Sequence, residues 1–169
     1  MLFRSVSGAA KTIVMGAPSK RLALAQKWGA HHTINIEEVP NAGERKKLVL
    51  DLTEGRGPDV VIECAGPSAA FKEGLEVVRR GGRFVVIGQT DPAPISIVPN
   101  LINLRSIEII GVASATVSHF YKALQFLQNN QQRFSFLDLI SNTYRLEETN
   151  TALKAMGQLQ EIKPAILPS

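Results

Sequence analysis

The sequence predicts an α/β fold, a doubly wound and mostly parallel sheet followed by a C-terminal appendage of helix and strand. Three observations carry this. Short apolar runs rich in β-branched residues recur at "KTIVMG", "HTINI", "PDVVIECAG", "RFVVIGQ" and "SIEIIGVAS", and unbroken runs of this kind suit strands covered on both faces. Segments of helical rhythm separate them, and such alternation calls for parallel strands joined by right-handed crossovers. Beyond "SIEIIGVAS" the alternation stops.

The elements follow in order. "KTIVMG" ends at Gly16, and "SKRLALAQKWGA" continues as a helix with Ser19 as N-cap and Leu22, Ala25, Gln26 and Trp28 at helical spacing. After the strand "HTINI", "GERKKLVLDLTEGRG" sets Leu48, Val49 and Leu52 on a helix before a glycine stop. "PDVVIECAG" leads into "SAAFKEGLEVVRRGG", capped by Ser68, with Phe71, Leu75 and Val78 on one face and a stop at Gly81-Gly82. "RFVVIGQ" and "SIEIIGVAS" complete the alternation. "TVSHFYKALQFLQNNQQR" is an amphipathic helix whose polar end frays or turns. A short apolar segment, a strand at "NTYRL" and a helix capped by Glu147 or Thr149 come next. "EIKPAILPS" is a final strand interrupted by Pro164. We divide the chain into the region of alternation, 1–133, and a C-terminal segment, 134–169.

Composition narrows the function classes. The 169 residues suffice for a sizeable core, with 44% hydrophobic and 20% charged residues. No apolar run approaches the roughly 20 residues of a membrane span, and "MLFRSVSGAAK" does not read as a secretory signal. The single cysteine, Cys64, excludes an internal disulfide framework. A cytoplasmic protein is expected. The net charge of +4 gathers at Lys20-Arg21, Arg45-Lys46-Lys47 and Arg79-Arg80. These clusters could attract anions, but they read first as solvated helix faces and helix C-termini. Without aromatic interleaving, nucleic acid is not an expected partner.

Taken together, "KRLALAQKWGAHHTIN", "LTEGRGPDVVIECAG", "AFKEGLEVVRRGGRFVVIG" and "RLEETNTALKAMGQLQEIKPAIL" resemble, in order and spacing, the medium-chain dehydrogenases, especially the zinc-containing alcohol dehydrogenases. The resemblance covers nearly the whole chain and implies a Rossmann-type nucleotide-binding sheet. It implies NAD or NADP as cofactor and hydride transfer between an alcohol and the nicotinamide, with a zinc in the intact family enzyme. The zinc-ligating domain and the Gly-rich phosphate turn of that family have no match here, and "FRSVSGAAK" resembles the tail of the helix that follows that turn. The expectation is therefore the later part of such an enzyme, lacking its first strand and inactive alone. In the doubly wound order that strand lies between "KTIVMG" and "PDVVIECAG", so its removal exposes a backbone edge on each.

The candidate cofactor-binding residues fall into groups. Gly16 stands where a carboxylate would bind the adenosine ribose and repel a 2′-phosphate. Glycine removes that repulsion, and Lys20 and Arg21 are near enough in sequence to meet an added phosphate. Ala17 follows in place of the small polar residue familiar in NADP-dependent relatives, so the phosphate clamp is incomplete, and a tight turn needing glycine is the plainer reading. Cys64, Ala65 and Gly66 end a strand at its carboxyl edge, and by resemblance their backbone passes under the cofactor. Cys64 has no histidine partner in the sequence and is expected to be a buried structural thiol. Gly88 and Gln89, then Gly111 and Val112, resemble turns facing the nicotinamide half, although each glycine could simply end a strand. Lys163 resembles a basic residue that contacts the pyrophosphate, or else it is a solvent-facing lysine. No residue is assigned as catalytic. His31 and His32 are adjacent and read as a packing feature, so no metal site is expected. Asp59 and Glu63 are expected to serve their loop and strand locally.

Three readings compete. The first is the NAD(P)-binding portion of an alcohol dehydrogenase-like enzyme. The second is a non-catalytic binding module that dimerises through the Ser106-Ser114 strand, the edge through which this family commonly forms homo-oligomers. The third, a different Rossmann-like enzyme such as a methyltransferase, is opposed by the match of the C-terminal tail.

Overall fold

The computed structural model describes residues 8–88 and 92–168. They form two compact units by chain contacts, one joining the residues up to Glu38 with Ala115 onward, the other spanning Val39–Ser114. The expected strand–helix alternation is present throughout.

In the first unit, β1 (Ile13–Gly16) pairs in parallel with β2 (His32–Asn35) in the register Ile13↔His32 to Gly16↔Asn35. Between them runs α1 (Ser19–Lys27), whose Leu22 and Ala25 are buried. Pro18, not Ser19, takes the N-cap position of α1. The Ser19 hydroxyl instead accepts from Asn35 Nδ2 at 2.9 Å, tying the end of β2 to the helix start.

The C-terminal part of this unit contains α5 (Val117–Asn130), a 3₁₀ turn at Phe136–Leu139, β6 (Thr143–Arg145), α6 (Thr149–Gly157) and β7 (Ala165–Leu167). β6 and β7 pair in parallel. Glu148 occupies the N-cap position of α6, between the two expected residues. The segment after Phe134 is anchored to α1. Trp28 meets Phe134 and Phe136 edge-on, with centroids 6.1 and 6.3 Å apart, the geometry that aromatic quadrupoles favour. Lys27 Nζ lies 2.5 Å from Asp138 Oδ2.

The second unit holds α2 (Ala42–Leu52), β3 (Val60–Glu63), α3 (Ser68–Val77), β4 (Arg83–Val86), α4 (Pro99–Arg105) and β5 (Glu108–Gly111). The three strands form one parallel sheet in the order β3-β4-β5. Among the described residues β1 has one partner strand, β2, and β3 has one, β4. The core of this unit is Leu75, Val78, Phe84 and Ile107, with Val61, Phe71, Val86, Ile97, Leu101 and Ile102 packed around it. Gly74 lets α3 lie close to β4, because a Cβ there would stand 2.6 Å from Phe84 Cε2.

Three expectations change here. Pro67, not Ser68, occupies the N-cap position of α3, and the Ser68 hydroxyl donates to Ala93 O at 3.0 Å. The sequence reading missed α4, a seven-residue helix whose one signal is Pro99 at its start. Arg45 is not on a solvated face. It is 8% exposed, its guanidinium grips the Glu73 carboxylate of α3, and Nη1 donates to Val39 O and Pro40 O at 2.8 and 2.7 Å. The carboxylate holds the Arg45 cation more firmly charged than usual.

Removing one member of a buried ion pair strands the other charge at a cost of several kcal/mol. Glu73→Ala should therefore lower the stability of the chain by about 3 kcal/mol. Lys46→Ala, which breaks a 3.4 Å contact with Glu76 between half-exposed side chains, should cost under about 1 kcal/mol. Urea denaturation followed by circular dichroism measures both.

Candidate functional site

Parallel strands place their exits on one edge. In the second unit that edge carries Cys64-Ala65-Gly66 after β3, Gly88 after β4, and Gly111 and Val112 at the end of β5. Glu63 organises it. Its side chain is buried at 5% exposure, and Oε1 accepts from Ala65 N at 2.6 Å and Gly66 N at 2.7 Å. Its carbonyl accepts from Ile87 N and Gly88 N, both at 3.0 Å. One residue thus fixes the turns after both β3 and β4.

Glycine is required at two of these places. Gly66 has φ +99°, the left-handed region that side chains disfavour. A Cβ on Gly88 would stand 2.4 Å from the Cys64 carbonyl carbon and 2.7 Å from Ala65 N, so only glycine lets the turns approach. Gly111 has open space where a side chain would be. Val112 N donates to Val86 O at 2.9 Å, extending the ladder to the edge. Gln89 lies outside the described residues, as do the residues before Gly8. Cys64 corrects the expectation of a buried thiol: it is exposed. Partial desolvation and the adjacent Glu63 carboxylate push the thiol above its ordinary range, which opposes a nucleophilic thiolate.

In the first unit, Gly16 closes β1, with nothing within 4 Å of a built Cβ. Ala17 and Pro18 lead into α1, where Lys20 is exposed and Arg21 is half-buried. Arg21 Nη2 donates to Glu161 O at 3.1 Å and Ile162 O at 3.3 Å. This contact brings the backbone beside Lys163 to the first turn of α1. Lys163 is exposed, and its backbone exchanges hydrogen bonds with Ser141: its N–H donates to Ser141 Oγ at 3.2 Å, and its carbonyl accepts from Ser141 N at 3.1 Å.

The structure adds a residue that sequence reasoning missed. Glu161 is 4% exposed, and its Oε1 accepts from Asn142 Nδ2 at 2.6 Å and the Tyr144 hydroxyl at 2.8 Å. Hydrogen bonds from Ser141, Asn142 and Tyr144 hold the Glu161 carboxyl below its ordinary range. Hydrogen bonding to Glu161 raises the Tyr144 phenol. No signal in "QEIKP" marks this acid, because its partners lie 17 and 19 residues away. Of the two carboxylates singled out in sequence, Glu63 acts locally and Asp59 does not. Asp59 Oδ1 accepts from Arg79 Nε, 20 residues on, at 2.5 Å, and this bond holds the Asp59 carboxyl below its ordinary range. Glu63 holds its own turn.

Two of the three histidines serve as acceptors. His31 Nδ1 accepts from Thr12 N at 3.0 Å, and His119 Nδ1 accepts from Thr116 N at 3.1 Å. Among the described residues no three His, Cys, Asp or Glu side chains converge, so the residues present do not fit a zinc ion. No described helix is long and apolar enough to cross a membrane.

Parallel strands whose glycine turns gather at their carboxyl ends define a class of open α/β sheet. Within that class, the chain belongs to the zinc-binding dehydrogenase family, whose model matches residues 3–129. It is 30% identical to a 5-exo-hydroxycamphor dehydrogenase of Pseudomonas putida over 98% of this chain and 46% of that protein. It is 31% identical to a sorbitol dehydrogenase of Bacillus subtilis over 96% of this chain and 44% of that one. Among solved structures, an alcohol dehydrogenase from Thermotoga maritima superposes with a TM-score of 0.86 at 33% identity, over 99% of this chain and 46% of its own. A benzyl alcohol dehydrogenase from Acinetobacter calcoaceticus gives 0.82 at 26% identity, over 99% and 45%. The chain thus spans about half the length of the curated relatives it matches.

A carboxyl depressed on folding contributes stability above its unfolded pKa, and that stability is lost as pH falls through the folded value. The acid limb of the thermal-stability profile should therefore report Glu161. In Glu161→Gln the fall in melting temperature below the ordinary glutamate range should be shallower than in the parent chain, as read by melts from pH 3 to 7.

Proposed function

We propose that this chain is the NAD(P)-binding portion of an alcohol or polyol dehydrogenase-like oxidoreductase. The observation that carries the reading is the carboxyl edge of β3–β5, where Glu63 and two obligatory glycines keep side chains away from a row of backbone turns. A flat, phosphate-bearing dinucleotide needs that close backbone approach, so the residues fit the cofactor. Cys64, Ala65, Gly66, Gly88, Gln89, Gly111 and Val112 would line its nicotinamide side. Gly16, Ala17, Lys20, Arg21 and Lys163 would meet its adenosine and phosphate side. When bound, the nicotinamide supplies the hydride acceptor and donor. The chain's own part is to bind and orient it, and no step through zinc is assigned to residues that cannot hold one.

The site is permissive between NAD and NADP. Gly16 presents no carboxylate to repel a 2′-phosphate, while Arg21, engaged with two backbone carbonyls, leaves Lys20 as the cation best placed for one. Residues 134–169 serve in the whole protein as the return to the domain that completes the active site. A homo-oligomer formed through β5 belongs to the same reading, supported by a strand exposed along most of its length, with Ile109 at 38% and Val112, just past its end, at 44%. The single cysteine suits a cytoplasmic setting.

Calorimetric titration of the folded chain with NADPH and NADH tests the reading. Both should bind saturably, and Gly16→Asp should weaken NADPH at least tenfold while sparing NADH. A folded chain that binds neither refutes the cofactor assignment. Size-exclusion chromatography with light scattering should give a dimer that Ile109→Lys converts to monomer.

A further inference from the structure

The opposite edge of the β3–β5 sheet is rich in arginine. Where the strands enter, Arg56, Asp59, Arg79 and Arg80 line an open cavity of about 560 Å³. Three arginines and one carboxylate line it. Asp59 Oδ1 is shared, with Arg79 Nε at 2.5 Å and Arg56 Nη2 at 4.0 Å. The Arg80 guanidinium has no hydrogen bond or ion pair among the described residues, although the Arg80 carbonyl accepts from Arg79 Nη1 at 2.7 Å. The lining therefore carries two positive charges beyond its one acid.

The ordinary explanation for arginines at this point is neutralisation of the C-terminal end of α3. Arg105 already does this. Its Nη1 donates to Glu76 O at 3.1 Å and its Nη2 donates to Val78 O. The cations at positions 79 and 80 are surplus to that need.

The backbone loops carrying them are closely packed. Gly57 has φ +83°, and a Cβ on it would stand 2.3 Å from Val77 O. A Cβ on Gly82 would stand 2.7 Å from Val78 Cγ2 and 2.8 Å from Arg79 O. Arg79 N donates to Pro58 O at 3.0 Å, and Arg83 N donates to Asp59 O at 2.9 Å, locking the two loops together. Like charges gathered on one open face repel until an anion joins them, and the guanidinium fork matches phosphate oxygens in pairs.

We propose that this cavity is a binding site for a small phosphate-bearing anion of at least two negative charges. The volume admits a ligand of pyrophosphate or sugar-phosphate size. Arg56 and Arg80 close on its oxygens, while Arg79 stays anchored to Asp59.

The test is titration of the intact ¹⁵N-labelled chain with inorganic pyrophosphate at about 0.1 M salt, a Debye length of about 10 Å, followed by amide shifts and calorimetry. Saturable 1:1 binding is expected, with shifts concentrated at residues 56–59 and 79–82. The double variant Arg56→Ala, Arg80→Ala should bind at least tenfold more weakly. Arg80→Gln, which removes a side chain without a protein partner, should bind at least threefold more weakly with an unchanged melting temperature. Binding that does not saturate, that shifts the turns at 64–66 and 88 instead, or that Arg80→Gln leaves unaltered would overturn the proposal. The result is independent of the cofactor reading, which NADPH and NADH titrations decide separately.

Discussion

Parallel pairing of β3, β4 and β5 is the constraint on which both edges of their sheet depend. Strands running the same way enter at one edge and leave at the other, so helix ends and arginines collect at the entrance and turns at the exit. The entrance can tolerate side chains, because helices must stop there and cations suit helix C-termini. The exit must stay bare if anything flat is to lie on it. Gly66 and Gly88 meet that demand through backbone conformation and close approach, and Glu63 meets it through hydrogen bonds.

Glu63 shows how a buried charge can be spent on geometry. Its Oε1 satisfies two amides of its own turn, and its carbonyl satisfies two amides of the next. Its Oε2 is buried without a partner among the described residues. A buried acceptor left unmet costs free energy, so this carboxylate persists because the turns it fixes matter more than the atom it leaves unpaired.

The alternation of strand and helix was legible because it rests on periodicity, and the glycines were legible because turns need them. What escaped the sequence depends on neighbours distant in the chain. Arg45 stands in a run of three cations and reads as solvated, yet its partner Glu73 is 28 residues away. The serines at the starts of α1 and α3 look like caps, but a proline precedes each and the hydroxyl bonds elsewhere. Helix α4 is too short for a period to show. Cys64 reads as a buried structural thiol because it has no histidine partner in the sequence, but β3 ends at Glu63 and the thiol already belongs to the exposed turn. The candidate residues on the exit edge of the second unit were named from their place after strands together with the family resemblance. The acid at Glu161 was not, since nothing local distinguishes it.

The clasp between Arg21 and the carbonyls of Glu161 and Ile162 joins residues 140 and 141 positions apart. Such contacts form late, because a long loop must close before they contribute anything. On the ribosome the continuous unit Val39–Ser114 can assemble as soon as it emerges. Helix α1, synthesised earlier, must wait for residues made more than a hundred positions later before its first turn is secured. The order of synthesis and the order of consolidation therefore run in opposite directions for this helix, whose first turn is made early and secured late.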